Sequence, residues 1–109
     1  MKTKIENFEF ADDEHLTEYI IPDSVTEIGC DAFSGCTNLK SIAIPNSVKK
    51  IGVGAFYGCT SLTSIVIPDS VTRIGWSAFE GCTRLTSITI PRGCKYDNAF
   101  DYNTEVIVR

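Results

Sequence analysis

The chain has 109 residues, 43% hydrophobic and 22% charged, which is enough apolar material for one packed domain and too much for disorder. Its net charge of −4 argues against nucleic acid, whose phosphates are neutralised by Lys and Arg, and against an anionic membrane surface. No apolar run approaches the roughly 18 residues of a membrane span, and the basic start at Lys2 and Lys4 has no apolar stretch behind it, so neither membrane insertion nor a signal peptide is expected.

Residues 1–21 read as a weak first coil of a repeat that becomes clear only afterwards. Ile5, Phe10, Leu16, Tyr19 and Ile21 stand 23 positions before Ile28, Phe33, Leu39, Ile42 and Ile44. Asp12, Asp13 and Glu14 lie in this stretch, which suits the polar outer face of a terminal coil. Residues 22–91 carry three regular copies. Ile21-Pro22-Asp23-Ser24-Val25 recurs as Ile44-Pro45-Asn46-Ser47-Val48 and as Ile67-Pro68-Asp69-Ser70-Val71; Ala32-Phe33 before Gly35-Cys36-Thr37 returns at 55–60 and 78–83. A fixed period between about 20 and 50 residues marks a solenoid, a stack in which each coil contacts only its neighbours.

Within one copy, Leu39, Ile42 and Ile44 alternate with exposed positions as an inward-facing strand, and Pro45, having no N–H, ends it. Leu62, Ile65, Ile67 and Leu85, Ile88, Ile90 predict the same strand in the next coils. Ser24, Ser47 and Ser70 are expected to form a polar ladder satisfying backbone groups at the turn. Val48 and Ile51 return to the core, and Gly29, Gly52 and Gly75 are expected to supply a positive φ at the bend. Residues 55–59 read as one helical or 3₁₀ turn closed by Gly58, with Phe33, Phe56 and Phe79 stacked in a file. Residues 92–109 form a shortened last coil: Cys94 stands for Val71, Ala99-Phe100 arrives two residues early, and 105–109 read as a closing strand. Tyr96 and Tyr102 are expected to pack in that coil. The whole chain thus reads as one domain with both ends covered.

The pattern of Ile-Pro-Asp/Asn-Ser-Val in phase with Ala-Phe-x-Gly-Cys-Thr and Leu-x-x-Ile-x-Ile resembles the BspA-like leucine-rich repeat, strongly over residues 16–91 and weakly elsewhere. The resemblance implies a β-rich, right-handed solenoid of parallel strands and short turns without long helices. It also implies a surface or secreted setting and adhesion to host proteins, whereas a native start at Met1 without an export signal points to the cytoplasm.

Little in the sequence points to catalysis. His15 is the single histidine and falls in the acidic first coil. Cys36, Cys59 and Cys82 share one repeat position, where stacked thiols run parallel and do not converge on a metal; they are expected to act as small hydrophobes. Every glycine is accounted for by the repeat, which leaves no phosphate cradle. No cofactor is implied.

Positions that vary between copies are free to bind. The strand face, with Lys40, Ser41, Ala43, Ser64, Val66, Ser87 and Thr89, is small-sided and weakly charged. The opposite side carries Lys50, Val53, Tyr57, Arg73, Trp76 and Arg84, and Trp, Tyr and Arg are the residues enriched at binding hot spots. Two placements of Trp76 stay open, exposed in a partner-binding patch or folded over the core. The sequence therefore predicts a non-catalytic protein-binding module, with a cytosolic binder or inhibitor and a ligand-free scaffold as alternatives.

Overall fold

The computed structural model describes residues 1–109 as a β-solenoid of about four turns with no helix. Its strands are β1 (Lys4–Ile5), β2 (Glu18–Ile20), β3 (Glu27–Ile28), β4 (Ser41–Ala43), β5 (Lys50–Ile51), β6 (Arg73–Ile74), β7 (Ser87–Ile90), β8 (Lys95–Tyr96) and β9 (Glu105–Val108). One wall is a five-stranded parallel sheet in the order β1-β3-β5-β6-β8. Its register follows the repeat, Lys4 opposite Glu27, Lys50 and then Arg73, each one coil further on. The other wall is split. β2 pairs with β4 and β7 with β9, while the segment carrying Leu62, Ile65 and Ile67 makes only a single bridge, from Val66 to Thr89. The strand expected there is absent, although Leu62 and Ile67 are fully buried as its spacing requires. The core and the other wall hold the stack together across that gap. Arg109 spans part of the same region: its guanidinium donates to Asp69 Oδ1 at 2.9 Å and to the Ile67 carbonyl.

The interior is a column of like side chains. Twenty-six buried apolar residues form one cluster with no buried polar or charged residue among them. Phe10, Phe33, Phe56, Phe79 and Phe100 stack in a continuous file, with ring centroids 5.1, 5.2, 5.1 and 5.6 Å apart and planes within 14° of parallel. That spacing is the coil rise of ~4.8 Å plus a small offset, and offset stacking is the favoured geometry for aromatic faces. Phe100 joins the file despite arriving early, because the last coil is shorter.

The turns between the walls use their backbone groups alternately. The N–H groups of Ala55, Tyr57 and Cys59 donate three residues back, to Gly52, Gly54 and Phe56, at 3.2, 3.0 and 3.2 Å. Those of Gly54, Phe56 and Gly58 donate to Trp76, Ala78 and Glu80 in the next coil, each at 2.8 Å. A helical or 3₁₀ turn would need consecutive local bonds; here every second donor is spent on stacking, so the segment is a run of tight turns. Such a run needs left-handed residues in register. Asp12, Gly35, Gly58 and Gly81 form one such column (φ 61, 74, 73 and 79°), and Phe8, Asp31, Gly54, Ser77 and Asn98 form a second (φ 60, 54, 65, 58 and 49°).

Two further expectations need correction. Gly29, Gly52 and Gly75 are not in the left-handed region. They are glycine because coils approach too closely there: a Cβ on Gly52 would lie 2.7 Å from the Gly29 carbonyl carbon and 2.8 Å from the Cys30 nitrogen. The serine ladder also does not form. Ser24 donates to the Lys2 carbonyl, but the buried hydroxyls of Ser47 and Ser70 have no partner. The nearby turn donors are already used locally, Val48 N–H to Pro45 and Val71 N–H to Pro68, both at 3.1 Å.

Candidate partner-binding groove

Alternation in the five-stranded wall sends Ile5, Ile28, Ile51 and Ile74 inward and leaves Lys4, Glu27, Lys50, Arg73 and Lys95 in one outward column. Lys4 Nζ pairs with Glu27 Oε2 at 3.3 Å. Lys50, Arg73 and Lys95 have no ion-pair partner, so successive coils present a file of free cations spaced ~4.8 Å apart on a chain of net charge −4. Three residues beyond this column the chain enters its turns with Asn7, Cys30, Val53 and Trp76 in register. Val53 is 49% and Trp76 62% exposed.

These two columns wall a shallow groove running across the coils. One stretch, of about 360 Å³, is lined by Val53, Arg73, Gly75, Trp76, Lys95, Tyr96 and Asp97. The next, of about 280 Å³, shares Val53, Arg73 and Gly75 and continues past Lys50, Cys30 and Glu27 to Lys4 and Asn7. Gly29, Gly52 and Gly75 lie along it. The glycines that let the coils stack therefore also keep side chains out of the groove.

Of the residues singled out from sequence, the structure brings Lys50, Val53, Arg73 and Trp76 together here. Trp76 is exposed and does not cover the core. Tyr57 is exposed too (45%), but it stands beyond the left-handed turn at Gly54 and does not line the groove; neither does Arg84, exposed before β7. On the split wall, Lys40, Ser41, Ala43, Ser64, Val66 and Ser87 are exposed and Thr89 half-buried, and no concavity is formed by them. Sequence reasoning missed Lys95 and Tyr96. A strict subtraction of 23 sets Tyr96 opposite Arg73, whereas the observed partner of Arg73 is Lys95, and Tyr96 pairs with Ile74. Tyr96 packs edge-on against Phe100 at 5.4 Å, as expected of the last coil, while its 44% exposure contributes to the groove. Tyr102 is fully exposed and packs on nothing.

The cysteines at the repeat position are unsuited to covalent chemistry by their surroundings, and the single histidine stands apart from them. His15 is exposed, and its backbone N–H donates to Asp13 Oδ1 at 3.0 Å. The thiols of Cys36, Cys59 and Cys82 donate to the carbonyls of Phe10, Phe33 and Phe56 at 3.0, 3.2 and 3.1 Å, each reaching into the preceding coil. Burial pushes the Cys36 thiol up, and the adjacent Cys82 thiol together with burial pushes Cys59 well above the ordinary range, which keeps both protonated and poorly nucleophilic. No group of three or more His, Cys, Asp or Glu is placed to hold a metal ion.

Stacked parallel strands, an inward Leu-x-x-Ile-x-Ile column and helix-free returns define a leucine-rich-repeat solenoid. The sequence model for the BspA type leucine rich repeat region, in six copies, matches residues 3–107, and the chain belongs to that family. Solved structures agree. A leucine-rich repeat protein from Bacteroides ovatus superposes with a TM-score of 0.93 at 37% identity, over 99% of this chain and 28% of its own. A leucine rich cell surface protein from Faecalibacterium prausnitzii does so with 0.84 at 40% identity (98% of this chain, 31% of its own). The leucine rich repeat protein of T. pallidum gives 0.83 at 34% identity (86% and 44%). The chain therefore spans less than half the length of these structures. The curated proteins yielded no match.

Proposed function

We propose that this chain is a non-catalytic protein-binding module that docks its partner along the groove of Lys50, Val53, Arg73 and Trp76. The observation that carries this reading is Trp76, 62% exposed beside an unpaired arginine on a wall otherwise built from repeats. A tryptophan left in water forfeits the burial of a large apolar surface, and Trp and Arg in a central concavity are what binding hot spots are made of. The membership in a leucine-rich-repeat family supports an interaction role, and the cell surface relative from Faecalibacterium prausnitzii supports an extracellular, adhesin-type setting over a cytosolic one.

The test is capture of soluble host extracellular-matrix proteins on immobilised chain, comparing wild type with Trp76→Ala, Arg73→Ala, Tyr57→Ala and Arg84→Ala. The two groove variants should keep their circular dichroism and melting curves and weaken capture at least ~10-fold, as hot-spot truncations of about 2 kcal/mol do. The Tyr57 and Arg84 variants should change it less than about threefold. Undiminished capture by the folded Trp76→Ala variant would move the site off the groove, with the flat strand face around Ser41, Val66 and Ser87 as the remaining candidate surface.

A further inference from the structure

We infer that the groove accepts an extended segment in which acidic and apolar residues alternate, the carboxylates set on Lys50, Arg73 and Lys95 and the apolar side chains on Val53 and Trp76. The inference rests on the reading of the groove as a docking surface and adds the chemistry of the partner. The two walls are chemically opposite. One is a file of three cations that make no ion pair within the chain, with the carboxylates of Glu27 and Asp97 at its ends; the other is aliphatic and aromatic at Val53 and Trp76. An extended peptide has the matching two-sidedness, because successive side chains point to opposite sides. Same-side residues lie ~6.8 Å apart in such a segment, while three cations at a coil rise of ~4.8 Å span about 10 Å, so two carboxylates fit between and against them. Arg73, in the middle, presents the planar fork that holds a carboxylate by two parallel hydrogen bonds. The floor at Gly52 and Gly75 is bare, which lets a peptide backbone lie close. An acidic glycan shares the charge, but its hydroxyls need neutral donors and acceptors along the groove; those present, Asn7 and Tyr96, stand at its two ends, and the middle is lined by Val53, Ile74, Gly75 and Trp76. Charge complementarity selects an acidic partner, and the apolar middle of the groove favours the peptide over the glycan.

Trp76 is the single tryptophan of the chain and lies in the groove, so its emission reads occupancy directly. The probe is a blocked peptide, acetyl-Ser-Glu-Leu-Glu-Leu-Glu-Ser-amide, titrated into the full chain at low salt. A saturating blue shift or quench is expected. It should weaken at least tenfold when the three glutamates are replaced by glutamine, weaken further as salt rises past the point where the screening length falls below ~10 Å, and vanish in the Arg73→Glu/Lys95→Glu double variant. The glutamine peptide needs no change in the protein, so the outcome stands even if the double variant folds poorly. No response to the glutamate peptide, or an equal response to the glutamine one, overturns the inference. A tighter response to oligogalacturonate than to the peptide also overturns it and gives the groove to an acidic glycan. If the peptide fails while Trp76→Ala still abolishes protein capture, the docking surface stands and only the acidic class falls.

Discussion

Substituting alanine at Gly52 and at Gly58 separates the two reasons this fold has for glycine. At Gly58 the backbone is left-handed (φ 73°), yet a Cβ would meet nothing nearer than the Gly35 nitrogen at 4.0 Å. Gly58→Ala therefore costs only the left-handed strain of about 1–2 kcal/mol, and Gly58→Asn, which tolerates that region, recovers part of it. At Gly52 no such φ is required, but the added Cβ would lie 2.7 Å from the Gly29 carbonyl carbon, where ordinary contact begins at 3.4 Å. Relieving that 0.7 Å by opening the stack would stretch the Gly52 N–H bond to the Ile28 carbonyl from 2.8 Å to a length at which it no longer counts. Overpacking of about 1–3 kcal/mol plus a lost ladder bond of about 1 kcal/mol puts Gly52→Ala near 3 kcal/mol, a large part of the ~5–15 kcal/mol of a typical domain. Asparagine at 52, bulkier still, should be worse than alanine, the reverse of its order at 58. Urea unfolding monitored by circular dichroism gives these values from the midpoints at constant slope. A Gly52→Ala loss of about 1 kcal/mol or less, or smaller than that of Gly58→Ala, would refute the claim that coil contact sets this position.

Two further predictions concern titratable groups. At pH 8 a thiol reagent should modify half-buried Cys30 faster than Cys36, Cys59 and Cys82, which react only on unfolding; rapid modification of Cys59 in the folded chain would contradict the buried, carbonyl-bonded column. Near the first coil, burial works against the charged form of Glu9, but hydrogen bonds from Lys2 Nζ (2.8 Å) and the Glu6 N–H (2.9 Å) outweigh it and hold the carboxyl below its usual value. A depressed folded pKa means that its contribution is present above the unfolded value and lost as pH falls through the folded one. The stability advantage of wild type over Glu9→Gln should accordingly be seen at pH 6 and shrink between pH 5 and 3, and an advantage that grows on acidification would rule out the pair.

The groove was only partly legible from the repeat arithmetic. Comparing copies picks out variable positions but not which of them share a surface. Trp76 and Tyr57 both vary and both are exposed, but the left-handed turn at Gly54 separates Tyr57 from Val53, the position equivalent to Trp76, so only Val53 and Trp76 line the groove. Lys95 escaped because the register slips in the last coil. The second left-handed column was hidden for a different reason: four of its five members, Phe8, Asp31, Ser77 and Asn98, are not glycine, and the run of tight turns imposes φ on them.

The stack itself was written into the chain. A 23-residue period with apolar positions in phase leaves each coil an unburied face that only a like neighbour can cover, so the phenylalanine file and the parallel register follow from the pattern alone. Local sequence could not decide where coils touch backbone to backbone or where a wall opens, because those depend on distances between residues 23 apart. Tertiary packing made Gly52 a spacer and not a hinge. It also left the Ser47 and Ser70 hydroxyls unpartnered, broke the ladder at Ile65, and lined up three free cations beside Trp76.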